Sequence, residues 1–140
     1  MQKIISVPYI DQTEQYPTGC ESISAVMMLQ YLGYDITPEQ FIDCFLYKRD
    51  FEFHDGYLYG PHPADAFIGS PYNDEKGSYG CYAPVIALAM ERAAGEDYRF
   101  TARQDVPVET LLEEYIDKDM PVVVWATLNM EPSSLGVSWR

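Results

Sequence analysis

Basic residues are scarce in this 140-residue chain, which has 9 lysines and arginines against 22 aspartates and glutamates and a formal net charge of −13. A surface of this sign repels phosphate backbones and offers no release of condensed counterions, which supplies much of the affinity for nucleic acids. The acidic residues are dispersed along the chain, as on an ordinary solvated surface. We therefore expect no nucleic-acid partner.

Long apolar runs are also missing. No stretch reaches the roughly 20 apolar residues that a bilayer-crossing helix needs, so we expect no membrane span. Residues 1–9 lack the apolar centre of a signal peptide. The compartment stays open: cytoplasmic if Met1 is the natural start, and secreted if a leader was removed.

Cysteine and histidine are few and far apart. The three cysteines, Cys20, Cys44 and Cys81, are odd in number, so at least one thiol is free, and their wide separation does not fit a zinc site. The only histidines are His54 and His62, and the acids around His54 do not follow calcium-loop spacing. We expect neither a metal nor a cofactor.

The composition that remains is that of a globular protein. With 47% hydrophobic residues, a chain of this size can bury about two thirds of its unfolded surface, so residues 1–140 are predicted to form a single domain. The 12 tyrosines indicate a surface or cleft with apolar faces and polar edges.

Apolar periodicity and capping residues predict four helices. The first, about 20–32, is apolar nearly all round and ends at Gly33, which is typical of a central buried helix. The second opens with a capping box at Thr37 and runs through Leu46, with Cys44 expected in the core. The other two are predicted over 82–94 and 108–116.

Three short runs, 4–7, 98–103 and 120–127, are predicted as strands from alternating or continuous apolar residues. Between them lies a long segment, 48–80, rich in glycine, proline and tyrosine. A segment of this length is either a cleft wall or a surface loop packed on its own aromatic side chains.

The residues most indicative of chemistry are Gly19-Cys20-Glu21, placed directly before the first helix, with Cys20 eight residues after Gln12. Unpaired N–H groups at a helix start stabilise a thiolate, so a lowered pKa is predicted for Cys20. The side-chain amide of Gln12 can donate to the oxyanion of a tetrahedral intermediate, an interaction typically worth about 3 to 4 kcal/mol. Together they indicate acyl transfer.

Each of these residues also has a structural interpretation. Cysteine is often buried as a small apolar residue, and a glutamine in a loop often bonds to the backbone. Gly19 weighs against this interpretation because it leaves the sulfur approachable, as does the polar first turn of Glu21 and Ser22. An inert core cysteine requires neither feature.

Several motifs in this order resemble the bacteriocin-processing peptidase-like proteins, cysteine peptidase family thirty-nine of the papain-like superfamily. They are Val7-Pro8-Tyr9, Gln12, Gly19-Cys20-Glu21-Ser22, Phe67-Ile68-Gly69, Gly77-Ser78-Tyr79-Gly80 with Tyr82-Ala83-Pro84, and Pro121-Val122-Val123-Val124-Trp125-Ala126. The resemblance implies an α+β papain-like fold in which a helical half packs on an antiparallel sheet. It implies Cys20 as nucleophile and Gln12 as oxyanion donor, with Gly19, Tyr79 and Gly80 contacting the substrate.

One departure from the family pattern concerns the general base. In such proteins the catalytic histidine lies on strands after the segment matching 121–126, and this sequence has no histidine there. The histidine-bearing strands are therefore expected to be absent, through truncation of the domain. His54 or His62 could only replace that base if a rigid frame held it within reach of Cys20.

The leading hypothesis is a thiol-dependent peptide hydrolase whose present chain is inactive for want of the histidine. A non-catalytic module that binds a peptide or partner on the same fold is the main alternative. A redox protein with a reversible disulfide between Cys20 and Cys81 is a third. An exposed sheet edge could also pair two copies of the chain into a homo-oligomer.

Overall fold

The structure is a computed structural model that describes residues 2–134 and 136–140. Its helices are α1 (Cys20–Tyr31), α2 (Pro38–Gln40), which continues as a π-helical turn (Phe41–Phe45), α3 (Ala83–Ala94) and α4 (Val108–Glu114). Its strands are β1 (Lys48–Arg49), β2 (Glu52–His54), β3 (Tyr57–Tyr59) and β4 (Phe67–Ile68), and two 3-10 turns span Ile116–Lys118 and Leu128–Met130.

Helix α1 forms the centre of the core, as its apolar sequence predicts. Ala25, Val26 and Leu29 are fully buried, and the helix packs against α3 and the π turn. Its end is also as predicted: Gly33 has a left-handed φ of 99°, and the next N–H, that of Tyr34, donates to the Leu29 carbonyl at 3.0 Å. A helix held in this way is a rigid mount for whatever lies at its first residue.

Thr37 starts α2 with the predicted capping box. Its Oγ1 accepts the N–H of Gln40 at 3.1 Å, and the Gln40 side chain accepts the N–H of Thr37 at 3.0 Å. Pro38 occupies the first helical position, where a backbone N–H would have no helical partner. The helix then widens into the π turn, where Phe41 and Ile42 are buried and Cys44 is exposed, so the expectation that Cys44 lies in the core is wrong.

The substitution Thr37→Ala removes one bond of the capping box. We expect it to lower the free energy of unfolding by about 1 kcal/mol, as measured by urea unfolding followed by circular dichroism. Thr101→Ala, at an exposed threonine outside the helices and strands, is the control and should change that free energy by less than about 0.5 kcal/mol. Equal losses in the two variants would contradict the capping role.

The long segment 48–80 contains all four strands. Strand β1 pairs in parallel with β4, in the register Lys48↔Phe67, and β4 also forms an antiparallel bridge from Ile68 to Gly80. Strands β2 and β3 form an antiparallel hairpin, which turns at Asp55 and Gly56, both with positive φ. The segment is therefore built on backbone pairing as well as on its aromatic side chains.

The three runs predicted as strands, 4–7, 98–103 and 120–127, are not paired in any ladder of the described residues. In the first of them the Val7 N–H bonds locally to the Ile5 carbonyl at 3.0 Å. A strand exists only where a neighbouring backbone accepts its hydrogen bonds, and none of the described strands pairs with these runs.

The last predicted helix is present but ends at Glu114, before the 3-10 turn. None of the described helices has the length and apolar character to cross a bilayer.

Candidate functional site

Cys20 is the first residue of α1, and two successive turns link it to Gln12. The N–H of Tyr16 donates to the Gln12 carbonyl at 2.9 Å, and the N–H of Gly19 donates to the Tyr16 carbonyl at 3.0 Å. Cys20 is exposed at the end of this loop, and Gln12 is half-buried. The fold thus presents both residues on one short, hydrogen-bonded loop.

Gly19 is closely packed at the start of α1. A Cβ at this position would lie 3.1 Å from Cβ of Pro71 and 3.2 Å from Cβ of Tyr16. The neighbouring Thr18 joins the same two loops, since its hydroxyl donates to the Ser70 carbonyl at 2.5 Å. The loop around Pro71 is therefore fastened against the start of α1, and this contact gives a structural reason for the glycine.

Glu21, on the other side of Cys20, was not predicted as a site residue. Its Oε2 accepts the thiol of Cys20 at 3.2 Å, and its Oε1 accepts the backbone N–H of Cys81 at 3.2 Å. Gly80 makes this approach possible, because a Cβ there would lie 2.2 Å from Oε1 of Glu21. One carboxylate thus joins the predicted nucleophile to the loop that contains the predicted substrate-binding residue Gly80.

The predicted lowering of the pKa of Cys20 is wrong. Three effects together raise the pKa of Cys20 to about 11. The largest is the partial burial of the thiol, although the residue as a whole is exposed, and the others are the adjacent charge of Glu21 and the hydrogen bond from the thiol to it. The backbone N–H groups of Cys20 and Glu21 act in the predicted direction and lower the pKa, but their effect is smaller. In this structure Cys20 is a protonated thiol at neutral pH.

Cys81, the other thiol near Glu21, is buried. Burial raises its pKa well above the ordinary range, and the charges of Glu21 and Cys20 act in the same direction. The indole N–H of Trp125 donates to the carbonyl of Cys81 at 2.9 Å. All three cysteines are free thiols.

Tyr79, the other predicted substrate-binding residue, is exposed in an aromatic cluster of Phe51, Tyr79, Tyr82 and Trp139. The hydroxyls of Tyr79 and Tyr82 are 3.0 Å apart, and the ring of Trp139 lies 4.8 Å from that of Tyr79 and 5.1 Å from that of Phe51. The indole N–H of Trp139 donates to the Pro61 carbonyl at 2.9 Å. Two members of the cluster, Tyr79 and Tyr82, directly flank Gly80 and Cys81 along the chain.

Neither histidine is placed as a base. His54 is exposed and stacks on Tyr59 at 4.2 Å, and Nδ1 of His62 accepts the N–H of Ala64 at 3.1 Å. Neither contributes to the shifted pKa of Cys20. Within the ranges 2–134 and 136–140, no group of three or more His, Cys, Asp or Glu side chains is close enough to hold a metal ion.

An open groove of about 1070 Å³ lies beside this site, between α3 and the segments 98–106 and 120–125. Its walls are largely apolar and include Met90, Leu111 and Val123. Tyr82 and Trp125 line the end nearest Cys81, whereas Gln12, Cys20 and Glu21 do not contribute to its walls. The predicted nucleophile therefore lies outside the groove.

The order of these residues along the chain matches a known family: the Peptidase_C39 like family aligns with residues 4–136. The chain belongs to the Peptidase_C39 like family. This result confirms the resemblance seen in the sequence, and it supports a cysteine peptidase-like function in general terms.

A solved structure agrees with this family assignment. The protein, from Bacillus anthracis and designated a C39-like peptidase, is 28% identical with a TM-score of 0.57. The match covers 67% of this chain and 46% of that one, so the chain spans about half the length of its C39-like neighbour. The α+β papain-like fold class is thereby confirmed. No curated protein showed significant similarity to the chain.

Two sets of C39-like motif residues are connected to Cys20. Gln12 and Gly19 precede it, and the segment of Tyr79 and Gly80 is joined to it through Glu21. A signal for Glu21 was present in the sequence, as the acidic residue next to the thiol. Its partners at 80–81 are about 60 residues away, so no local pattern could show that it spans the two loops.

Proposed function

We propose that this C39-like chain has the chemistry of a thiol-dependent peptide hydrolase, with Cys20 as nucleophile and Gln12 as oxyanion donor. The observation that carries the proposal is the position of Cys20: an exposed thiol at the first turn of a buried, rigid helix, on the same hydrogen-bonded loop as Gln12. Gly19, which precedes Cys20, and Tyr79 and Gly80, in the loop that Glu21 contacts, are proposed to bind the peptide.

The reaction follows from these roles. The sulfur of Cys20 adds to the carbonyl carbon of a peptide bond, and the developing oxyanion receives the amide N–H of Gln12. The C–N bond then breaks, the amine leaves with a proton, and water hydrolyses the resulting thioester. A base must first take the thiol proton, and neither histidine acts on this sulfur, so we expect the 140-residue chain by itself to hydrolyse amides very slowly.

A test of the nucleophile should therefore use a reagent that needs no general acid to protonate a leaving amine. We expect the ratio of Cys20 to Cys44 alkylation at pH 8.5 to be at least about tenfold higher with a peptidyl chloromethyl ketone than with iodoacetamide, because only the peptidyl reagent forms an oxyanion that Gln12 is proposed to stabilise. Mass mapping of the alkylated cysteines over time measures both rates in one sample.

Two variants serve as matched controls. Cys20→Ser should abolish the adduct that Cys44→Ser leaves intact, and Gln12→Ala should slow Cys20 labelling by about tenfold or more if the amide stabilises the oxyanion adduct. Iodoacetamide, which forms no tetrahedral adduct, should show no such loss with Gln12→Ala. Equal ratios of Cys20 to Cys44 labelling with the two reagents, or indifference of the peptidyl reagent to Gln12→Ala, would remove the basis for the assignment.

The raised pKa of Cys20 favours a second function, a peptide-binding module without turnover. In that case the aromatic cluster would hold an extended peptide, and its tyrosine and tryptophan side chains would supply rigid contact area. Fluorescently labelled peptides with the sequence of the chloromethyl ketones would then bind Cys20→Ala as tightly as the unaltered chain in fluorescence anisotropy. In the unaltered chain, no covalent adduct of the chloromethyl ketone would accumulate on Cys20.

A further inference from the structure

Glu21 makes two hydrogen bonds that join separate parts of the molecule. Oε2 accepts the S–H of Cys20 at 3.2 Å, and Oε1 accepts the N–H of Cys81 at 3.2 Å. The first partner starts helix α1, and the second lies in the loop that the bridge from Ile68 to Gly80 attaches to β4. A single side chain thus spans the predicted nucleophile and the predicted substrate loop.

We propose that Glu21 is a latch: a positioning residue whose carboxylate holds the thiol proton of Cys20 and ties the loop at Gly80 and Cys81 to the start of α1. The proposal rests on the proposed function in one respect, since the sulfur that the latch holds is the proposed nucleophile. It assigns Glu21 a regulatory role at that site, by keeping the thiol unreactive until another group displaces or neutralises the carboxylate.

The chemistry of a carboxylate explains both effects. Its negative charge beside the sulfur disfavours a thiolate, and an ionised acceptor makes a stronger hydrogen bond to the S–H than a neutral one. Carboxylates are much weaker bases than thiolates, so the proton stays on sulfur. Among the described residues, Glu21 also acts on the buried thiol of Cys81, and no cation contributes to the pKa of Cys20.

Gly80 supports the same interpretation from the other side of the contact. Its φ of 93° and its missing side chain let the backbone approach Oε1, where any Cβ would lie at 2.2 Å. The N–H of Cys81 is then directed at the carboxylate. The backbone at Gly80 therefore leaves room for the carboxylate of Glu21 to reach the N–H of Cys81.

Glu21→Gln tests the latch because glutamine keeps an acceptor oxygen and the side-chain length while removing the charge. In this variant we expect the pKa of Cys20 to fall, which gives about tenfold more thiolate at pH 8. Since a less basic thiolate is also less nucleophilic, the alkylation rate with iodoacetamide should rise by about threefold to tenfold. Cys44, followed by mass spectrometry in the same sample, is the internal reference.

The second readout separates positioning from charge. Amide hydrogen exchange at Cys81 should stay protected in Glu21→Gln, which retains the acceptor, and should accelerate in Glu21→Ala, which removes it. Glu14→Gln, an exposed glutamate in the loop before α1, is the control for charge removal and should change neither measurement. Circular dichroism of each variant verifies the fold.

The latch is overturned if Glu21→Gln leaves the ratio of Cys20 to Cys44 alkylation unchanged, or if Glu21→Ala leaves Cys81 exchange unchanged. Iodoacetamide carries no peptide and needs no oxyanion donor, so this result is independent of the peptidyl-reagent experiment. A chain in which the latch is confirmed and no peptidyl adduct forms would retain the proposal for Glu21 while losing the hydrolase assignment.

Discussion

Gly80→Ala is expected to lower the free energy of unfolding by about 3 kcal/mol and to break the contact between Glu21 and Cys81. The new methyl would lie 2.2 Å from Oε1 of Glu21, so the carboxylate must move away. The partly buried N–H of Cys81 then loses its acceptor, at a cost of about 1 to 3 kcal/mol. The left-handed φ of 93° adds about 1 to 2 kcal/mol for any side chain. Urea unfolding measures the sum.

Gly33 offers a matched control for the conformational part of this effect. Its φ of 99° is close to that of Gly80, but nothing lies within 4 Å of a Cβ placed there. Gly33→Ala should therefore cost only the left-handed conformation, about 1 to 2 kcal/mol. The difference between the two alanine variants isolates the contact with Glu21.

A double substitution tests whether that difference belongs to Glu21. In a Glu21→Ala background the carboxylate is gone, so Gly80→Ala should cost no more than Gly33→Ala does. An undiminished cost in the double variant would place the strain elsewhere in the loop and would remove the structural argument that Gly80 is shaped for Glu21.

The helices were predictable because their signals are local. The apolar run after Cys20, the stop at Gly33 and the capping box at Thr37 each act within a few residues, and all three are present in the structure. The hairpin of β2 and β3 also had a local signal, the Asp55-Gly56 pair, which is a common two-residue turn. The glycine, proline and tyrosine of the surrounding segment 48–80 predict a long loop and obscure this turn signal.

The strands and the pKa of Cys20 were not predictable in the same way. Pairing of β1 with β4 depends on residues about 19 positions apart, and the apolar run at 120–127 finds no partner strand in the described part of the chain. At Cys20 two local effects oppose each other, the helix start and the charge of Glu21. The largest effect on the pKa, the partial burial of the thiol, raises it, and this burial is set by the folded packing and not by the local sequence.

Phe67→Ala is the other substitution with a large expected effect, a loss of about 4 kcal/mol in the free energy of unfolding. Phe67 is fully buried in the main core and pairs through its backbone with Tyr47, whose carbonyl accepts its N–H at 2.9 Å. Removing the ring leaves a cavity that the surrounding helices cannot fill without moving. Phe53→Ala on β2, where the side chain is 73% exposed, should cost less than about 0.5 kcal/mol.

Phe67→Ala should also loosen the loop at Gly80 and Cys81, because β4 connects Phe67 to that loop. Ile68, next to Phe67, accepts the N–H of Tyr79 at 2.9 Å and donates its own N–H to Gly80 at 2.9 Å, so the core anchors the loop that Glu21 contacts. If packing of Phe67 holds this bridge in place, Phe67→Ala should accelerate amide exchange at Cys81 even under conditions where the protein stays folded. Exchange at Cys81 that rises only in step with global unfolding would show that the latch depends on Glu21 and Gly80 alone, without support from the core.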